Sequence, residues 1–352
     1  MVAHSKPRVC RVVKVGTDFT GMNSTSVALG RILPNKFNVV FSSEIQPECV
    51  ALQKVMEAGQ RIVKYGDVTK RSIDAMPYSD VYVWTPPCQS FSAAGKRKGA
   101  HDARGKLLAV GVKYTVAKMP RVAIIKNVKG LMSPRHRPVV KGVSKALTDA
   151  GYQVHWKVLN ARDFHLAQAR LRVVMVAIRN DCVSKDRPFT WPTATRGATL
   201  KQILDPVKAS DKRGRMPTFA TGKTNMKAGM KKARAAGINP LKVPCAIDID
   251  SSLRYFTMGI NHAKTLTRSR GASMGPWITT RGRRCSISEL LKLQGFKDED
   301  VPWEEAGLKP KQVGAMLGNA VPVPMIGEVM SHAMYSAGVI SADMFMVKSS
   351  LI

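Results

Sequence analysis

VCRVVKVGTDFTGMNSTS, residues 9 to 26, begins with a run of β-branched residues and ends in a turn of glycine and small hydroxyl side chains. Valine-rich runs favour strands, whereas glycine marks turns and Ser, Thr and Asn are common where helices begin. The stretch therefore predicts a buried strand, a turn around Gly21 and then a helix.

The same alternation continues along the chain. Short apolar runs follow at NVVFSS (38–43), VYVW (81–84) and VAII (122–125), separated by segments of helical periodicity. Such alternation is typical of βαβ units. YQVHWKVL (152–159) and RVVMVAI (172–178) have only a loop between them, so they could pair as an antiparallel addition. We therefore predict an α/β fold with a Rossmann-like, mostly parallel sheet and helices on both faces.

Positive charge dominates the composition. The 352 residues include 56 Lys and Arg against 24 Asp and Glu, a formal net charge of +32, and 44% of the residues are hydrophobic. This content suffices for a core, and the charge exceeds what solubility requires. A polyanionic partner explains the charge, and nucleic acid is favoured because no basic amphipathic membrane anchor accompanies it. The alternative is a solvated charged surface.

Cysteine spacing and the N-terminus bear on the compartment. The six cysteines are scattered without a CxxC pair, which indicates neither a zinc site nor a disulfide framework. The chain has no run of about eighteen apolar residues, and MVAHSKPRVCRVVKV lacks a signal-peptide pattern. We therefore expect an intracellular protein with no metal and no membrane partner.

Polar residues stand where the predicted strands end. Ligands of doubly wound sheets bind outside the carboxyl ends of strands. The turn at Gly21 can offer backbone N–H groups to an anion, and Glu44 stands where an acid commonly binds ribose hydroxyls. Asp67, at the end of RIVKYGDV, could accept a hydrogen bond from an adenine amino group. An isolated acid is more often a helix cap, but three such ends together favour a nucleoside cofactor.

TPPCQSFSAAGKRKG, residues 85 to 99, places Cys88 four residues beyond the VYVW strand, at the same rim. Pro86 and Pro87 stiffen this loop. The basic residues that follow are Lys96, Arg97 and Lys98. A free cysteine is usually a small buried hydrophobic residue. Here positive charge beside a nucleoside site favours the thiolate, so Cys88 is a candidate nucleophile for an electron-poor ring.

Five sequence blocks resemble, in order, the motifs of the cytosine carbon-5 DNA methyltransferases. TPPCQSFSAAGKRKG resembles the PPCQxFSxxG nucleophile loop, and HDARGKLL (101–108) resembles the DxRGxL helix start. LNARDFHLAQARLRVVMVAIR (159–179) is similar to the QxRxR block. RCSISELLKLQGF (284–296) and QVGAMLGNAVPVPM (312–325) are similar to the RxxTxxExxxLQGF block and the QxGNAVP signature. The resemblance covers about residues 9 to 335.

The resemblance implies an enzyme that uses S-adenosylmethionine and acts on double-stranded DNA, needs no metal and is expected to be a monomer. The residues implied at the cofactor are Phe19 against the adenine, Gly21, Glu44 on the ribose, Asp67 on the adenine amino group, Pro86, Asn319 near the methionine end, and Val321. The turn departs from the family pattern DxFxGxGG at Thr17, Asn23 and Ser24, with Asp18 displaced by one position. Weaker or differently shaped cofactor binding is therefore expected.

The resemblance also implies the chemistry. The target cytosine would be flipped from the duplex, because a stacked base gives a thiolate no path to the ring face. Cys88 would add to carbon 6, and carbon 5 would take the methyl group. Arg170 and Arg172 would hold the cytosine O2 and the loop, with Arg172 favoured for the base. The residues implied on the DNA are Gln89, Ser90, Lys96, Arg97, Lys98 and Gln168.

One catalytic position departs from the family. There a Glu-Asn-Val triplet supplies a protonated Glu that donates to ring N3 and accepts from the exocyclic amino group. AIIKNVKGLM (123–132) has Lys126 in its place. A lysine could donate to N3 but has no acceptor for the amino hydrogens. We expect a slowed enzyme. The alternatives are a catalytically inactive DNA-binding relative and a tRNA-methylating enzyme, although the CFT tripeptide of that branch is absent.

Composition also predicts the domain organisation. Residues 1–180, completed by 310–345, are expected to form the catalytic and cofactor-binding domain. Residues 181–283, rich in Lys, Arg, Gly, Ser, Thr and Pro, are expected to form a smaller loop-rich target-recognition domain that contacts phosphates. Residues 284–309 would return the chain to the catalytic domain. The compartment would be the cytoplasm for a bacterial or phage protein and the nucleus for a eukaryotic one.

Overall fold

Seven strands form one large sheet. The computed structural model describes residues 12–87 and 103–346, of which 103–106 are described by their backbone alone. The strands are β1 (Val13–Asp18), β2 (Phe37–Ser43), β3 (Val63–Tyr65), β4 (Val81–Trp84), β5 (Val122–Val128), β6 (Tyr152–Asn160) and β7 (Leu171–Arg179). Their order is β3-β2-β1-β4-β5-β7-β6. Strands β1 to β5 are parallel, and β7 lies antiparallel between β5 and β6. The predicted α/β sheet, with its antiparallel pair, is confirmed.

Helices cover both faces of this sheet. The helices α1 (Ser24–Ile32), α2 (Pro47–Met56) and α10 (Val323–Ser336) pack on one face, and α3 (Ala103–Lys118) and α4 (Arg137–Asp149) pack on the other. Alternate residues of β5 face opposite layers: Ile124 joins the first core and Ile125 the second. Burial on both faces explains why the strands read as nearly continuous apolar runs.

A smaller antiparallel sheet forms in the basic region. Its elements are α5 (Leu200–Ile203), α6 (Ala220–Ala235), β8 (Cys245–Ile247), β9 (Met258–Ile260), α7 (Arg268–Ala272), β10 (Trp277–Ile278) and β11 (Arg283–Arg284). The strand order is β11-β10-β8-β9. Met226 and Ala233 of α6 pack with Ile247 of β8 in a separate core. The domain boundaries placed from the sequence stay predictions, and β11 spans the one placed at residue 283.

The chain returns to the large sheet through α8 (Ile287–Gln294) and α9 (Pro310–Asn319) and ends its described part in α11 (Ala342–Met346). Helix α8 begins in a capping box, in which the Ser286 hydroxyl accepts from the Glu289 N–H at 3.1 Å and the Glu289 carboxylate accepts from the Ser286 N–H at 2.8 Å. Arg283 of β11 donates to the same buried carboxylate at 2.8 Å. The start of α8 is thereby tied to the smaller sheet.

One described helical stretch, Pro310–Ser336, is long and apolar enough by composition to cross a membrane, with a mean hydropathy of 1.3. Its most apolar window is 78% buried inside the protein. Core helices of soluble proteins pass the same test, so the stretch is weak support for a membrane span.

Asp205 links the basic region to α8. Its carboxylate accepts hydrogen bonds from the Ser286 hydroxyl at 2.6 Å and from the Lys292 ammonium at 3.1 Å. Burial works to raise the pKa of Asp205, but these two partners outweigh it and hold that pKa below its ordinary value. Because the folded pKa is depressed, the carboxylate stabilises the fold above its unfolded pKa of about 3.9, and that contribution is lost as pH falls through the folded pKa.

We expect Asp205→Asn to lower the free energy of unfolding at neutral pH by about 1.5–3 kcal/mol, the usual worth of hydrogen bonds to a charged group. Urea unfolding of both proteins at pH 7 and in acid measures the difference. The difference in free energy of unfolding between the two proteins should disappear in acid, where the wild-type carboxyl is protonated and, like the asparagine, uncharged. A gap of equal size at both pH values would contradict the proposed role of the charge.

Helices α7 and α9 meet through glycines. A Cβ atom placed on Gly271 of α7 would overlap the carbonyl oxygen of Gly314 in α9, and one placed on Gly314 would overlap the carbonyl oxygen of Gly271. Both obstacles are backbone atoms, which cannot swing aside as a side chain can. The close approach of the two helices therefore requires glycine at both positions.

We expect Gly271→Ala to lower the free energy of unfolding by about 3 kcal/mol, since the added methyl group must push two backbones apart. Gly142→Ala is the matched control, because Gly142 lies on the exposed face of α4 and its Cβ would meet nothing within 4 Å. Alanine favours helix over glycine, so this control should be neutral or slightly stabilising. Denaturant unfolding compares the two, and equal stabilities would contradict the close packing.

Candidate active site

The turn after β1 is held by the carboxylate of Glu44. This residue follows β2, and its oxygens accept backbone N–H bonds from Gly21 at 2.8 Å and from Ile45 and Gln46 at 2.9 Å each. Phe19 and Gly21 adopt left-handed backbone conformations, with φ of 56° and 59°. That conformation is uncommon for a residue with a side chain and clusters at functional sites. The acid predicted for the ribose is thus fixed beside the start of α1.

The turn keeps a glycine-like shape where it departs from the family pattern. Asn23 stands at one of the two replaced glycine positions and adopts a φ of 60°. Asparagine tolerates this left-handed region better than most residues. Its amide also donates to the buried Glu57 carboxylate at 2.9 Å. The backbone of the turn is therefore kept, although side chains now occupy space that glycine would leave open.

Asp67 lies at the same edge of the sheet, after β3. Its Oδ1 accepts hydrogen bonds from the backbone N–H of Thr69 at 2.9 Å and from the Thr69 hydroxyl at 2.7 Å. The N–H bond first, and the hydroxyl second, lower the pKa of this carboxyl. Ile45, next to Glu44, exposes 68% of its surface at the same edge. This open apolar side chain is a site feature that the sequence analysis missed.

A buried ion pair lies beneath this edge. Asp18, the last residue of β1, binds Arg71 through both carboxylate oxygens, and the two side chains are 0% and 3% exposed. The Tyr82 hydroxyl donates to the same carboxylate at 2.5 Å, and burial, then the charge of Asp18, raise the Tyr82 pKa. The Arg71 guanidinium also lies 5.8 Å and 5.6 Å from the rings of Phe41 and Tyr65. Asp18, which stands one position away from the acid of the family pattern, therefore has a structural role beneath the site, where it holds Arg71 and Tyr82.

Strands β5 and β7 bring two cations to one face of the sheet. Lys126 is opposite Val174, and Val128 is opposite Arg172. Because side chains alternate along a strand, Lys126, Val128 and Arg172 lie on the same face as diagonal or direct neighbours. Lys126 and Arg172 are each only 9% exposed. The two residues predicted to meet the base are therefore near neighbours at the carboxyl end of β5.

A cleft of about 1050 Å³ opens at this end of the sheet. Its walls come from the turn after β5, the start of β7, the segment around α7 and one face of α9. The lining residues include Val128, Arg172, Thr267, Arg268, Met316 and Asn319. The volume is in the range of ligand-binding clefts. Arg172 and the exposed Asn319, predicted from separate motifs, thus line one cavity.

Arg170 and Gln168 are buried, and their side chains form hydrogen bonds with backbone groups of other segments. Arg170, 1% exposed, donates to the carbonyl oxygens of Leu266 and, at 2.9 Å, of Gly318. Gln168, 0% exposed, donates to the Leu293 carbonyl at 2.9 Å and accepts from the Leu266 N–H at 2.8 Å. Buried amides and guanidinium groups need such partners. The expectation that Gln168 contacts DNA directly finds no support in this placement, and Arg170 holds the chain around Asn319.

The remaining predicted residues divide between the core and the part of the chain that is not described. Val321 is 6% exposed in the main core, and Pro86 is buried just beyond β4. The Thr85 hydroxyl donates to the Phe19 carbonyl at 2.9 Å and ties the start of the cysteine loop to the first turn. Residues predicted on that loop, namely Cys88, Gln89, Ser90, Lys96, Arg97 and Lys98, lie outside the described residues.

Four further cysteines lie within the described residues 12–87 and 103–346. Cys49, Cys182, Cys245 and Cys285 are all buried and free. Burial is the largest cause that raises the pKa of each of these four thiols. None of them is suited to act as a nucleophile. No cluster of three His, Cys, Asp or Glu residues that could hold a metal ion occurs in the described ranges.

Comparison with protein families and curated relatives gives a consistent result. A family model described as C-5 cytosine-specific DNA methylase matches residues 18–334. The chain is 30% identical over 292 residues to the Type II methyltransferase M.DsaV of Dactylococcopsis salina, which covers 82% of this chain and 77% of the relative. It is 29% identical over 289 residues to the Type II methyltransferase M.NlaX of Neisseria lactamica, with 82% and 85% covered.

Solved structures share the fold. The Entamoeba histolytica methyltransferase EhMeth superposes with a TM-score of 0.66 at 15% identity and covers 92% of this chain and 98% of its own. The S. pombe Dnmt2 methyltransferase gives a TM-score of 0.61 at 14% identity, with the same coverage. At these identities the likeness establishes the architecture, a Rossmann-like sheet with a second, smaller region.

Proposed function

The chain belongs to the C-5 cytosine-specific DNA methylase family, and on that premise we propose that it transfers a methyl group from S-adenosylmethionine to carbon 5 of cytosine in double-stranded DNA. The observation that carries the proposal is the cleft at the carboxyl end of β5. Arg172 and Asn319, from two family motifs far apart in the sequence, line it together. Such a DNA substrate also accounts for the net charge of +32 and for an intracellular site of action.

The residues at the strand ends fit S-adenosylmethionine, whose sulfonium supplies an electrophilic methyl group when it is bound. The Glu44 carboxylate is fixed by three N–H bonds and keeps lone-pair capacity for ribose hydroxyls. Helix α1 has no side-chain cap at its N-terminus, so its first N–H groups are suited to a carboxylate. The residues proposed to hold the cofactor are Phe19, Gly21, Glu44, Asp67, Pro86, Asn319 and Val321.

The chemistry proposed for the chain begins with a flipped cytosine in the cleft. The Cys88 thiolate forms a bond to carbon 6, which makes carbon 5 nucleophilic enough to accept the methyl group. The bond between that methyl group and the sulfonium sulfur breaks, and S-adenosylhomocysteine is the product that leaves. Arg172 binds the cytosine O2 and withdraws charge, while Arg170 positions the segment around Asn319. A base then removes the carbon-5 proton, the double bond re-forms and Cys88 leaves. The loop residues Gln89, Ser90, Lys96, Arg97 and Lys98 are proposed to contact the DNA around the flipped base.

Lys126 is proposed to attenuate this reaction. It lies on the same face as Arg172 and is equally buried. A donor-only cation there can approach N3 but cannot accept from the exocyclic amino group. Loss of a positioned acid costs on the order of a hundredfold in rate. The same residue supports the second candidate function, a catalytically silent relative that binds DNA and the cofactor.

Transfer of labelled methyl groups from S-adenosylmethionine to duplex DNA or to tRNA tests these functions, together with calorimetric binding of the cofactor. Incorporation into DNA, found as 5-methylcytosine after hydrolysis, supports the proposal. Binding of cofactor and DNA without incorporation supports the silent relative. Incorporation into tRNA alone would overturn the assignment to DNA. Absence of cofactor binding would remove both candidate functions.

A further inference from the structure

Helix α6 carries a row of lysines outside the cleft. Lys223, Lys227 and Lys231 are exposed and follow one another at four-residue intervals, which places them on one face of the helix. Their ammonium groups form no ion pair or hydrogen bond with any residue that the structure describes. No α6 residue is among the described residues that line the cleft. The row therefore lies on a surface that the proposed catalysis does not use.

Helix stability does not explain this row. Like charges four residues apart destabilise a helix by about 0.2–0.5 kcal/mol per pair. Helix α4 shows the stabilising alternative, since its Lys145 pairs with Asp149 at 2.8 Å. Across residues 212–247 the sequence has nine Lys and Arg and no Asp or Glu, so no acid neutralises α6 from its own segment. An anionic partner outside the chain would relieve this repulsion.

The row is held on a rigid support. The Asn225 amide, 0% exposed on the opposite face of α6, donates to the carbonyl oxygens of Asp248 at 3.2 Å and Ser251 at 2.7 Å. A Cβ atom on Gly229 would lie 2.6 Å from the Ile247 side chain, so the helix rests directly on β8. The helix that carries the lysines is therefore fixed on the smaller sheet, which reduces the ordering cost of binding to the lysine side chains themselves.

We propose that this row binds phosphates of duplex DNA that flanks the target base, beyond the reach of the cleft. The inference rests on the proposed DNA substrate. Three ammonium groups spread along about 12 Å of helix match a linear array of charges better than a single anion, given a rise of about 1.5 Å per residue. Lysine acts there as a point charge, so the contact adds affinity without reading sequence.

The test compares the salt dependence of duplex binding by the full chain and by a Lys223→Gln, Lys227→Gln, Lys231→Gln variant. Each lost phosphate contact reduces the slope of log affinity against log salt by about 0.9, so the variant should lose roughly 2.7. At about 0.15 M salt this slope corresponds to a loss of affinity on the order of a hundredfold. We expect the loss with a long duplex and not with one that only spans the target site. Cooperative thermal unfolding at the wild-type temperature or slightly above it, as the removal of like charges predicts, shows that the variant is folded.

Two further variants make the result specific. A control variant removes the same charge from exposed positions elsewhere and should change the slope much less. Its three substitutions are Lys36→Gln, Lys54→Gln and Lys185→Gln. The triple Lys→Arg variant of the row should restore the wild-type slope. Equal slopes for the two glutamine variants, or a loss seen only with RNA, would overturn the inference. Because binding is measured directly, this outcome stays separate from a failure of methyl transfer, which would concern the proposed function.

Discussion

We expect Cys88→Ser to abolish methyl transfer to duplex DNA, lowering the single-turnover rate by about 10⁴-fold or more, while binding of DNA and cofactor changes only a few-fold. Removal of a covalent nucleophile has effects of this size in other enzymes. A serine hydroxyl is a far weaker nucleophile at neutral pH than a thiolate, so carbon 6 is not attacked. The measurement is transfer of labelled methyl groups, with covalent trapping on a duplex that contains 5-fluorocytosine as the second readout. The wild-type protein should form the trapped adduct and the variant should not.

Cys182→Ser is the control for this prediction. Cys182 is buried after β7 and donates to the Asp181 carboxylate at 3.4 Å, away from the cleft residues. Its replacement should affect stability alone and leave the trapped adduct intact. An adduct that survives Cys88→Ser and is lost with another cysteine would place the nucleophile elsewhere and remove the role proposed for the 85–99 loop.

The fold was largely predictable because buried strands are visible in the sequence as short apolar runs. Strands covered on both faces must be apolar throughout, and β4 matches the predicted VYVW run to the residue. Strand β5 was predicted too short, since Lys126 and Asn127 break the apolar run. The strand continues through them to Val128 because they pair with β7. A charged residue in a strand is tolerated at the rim, where the functional site lies.

The site was less predictable because its partners are distant in sequence. Glu44 and Asp67 were identified from their positions after strands. The Asp18–Arg71 pair was missed, since nothing local indicates that an arginine beyond β3 reaches an acid at the end of β1. The burial of Gln168 was also hidden, because a polar residue in a motif looks equally suited to DNA and to backbone partners. Only the fold decides between these two uses.

Methyl transfer should rise by about a hundredfold in Lys126→Glu if the rest of the site is competent. A carboxyl at this position can donate to N3 and accept from the exocyclic amino group, and a positioned acid is worth roughly 10²–10⁴ in rate. The substitution also removes a like charge from the strand face that Arg172 shares, one pair along. Thermal unfolding checks that the variant is folded. Single-turnover transfer to duplex DNA, with cofactor and DNA saturating, measures the rate.

Lys126→Gln separates the two contributions that the carboxyl makes. A glutamine amide can accept from the amino group and donate to N3, but it cannot supply a proton, so its rate should fall between those of the lysine and glutamate proteins. If the lysine's missing acceptor alone limits the reaction, the glutamine and glutamate proteins should be equally fast. If neither variant transfers methyl groups faster than the wild type while both bind cofactor and DNA, position 126 does not correspond to the family's acid. The second candidate function, a catalytically silent relative, would then need support from another residue. The order of the three rates thus measures how much of the attenuation is lost hydrogen bonding and how much is lost proton transfer.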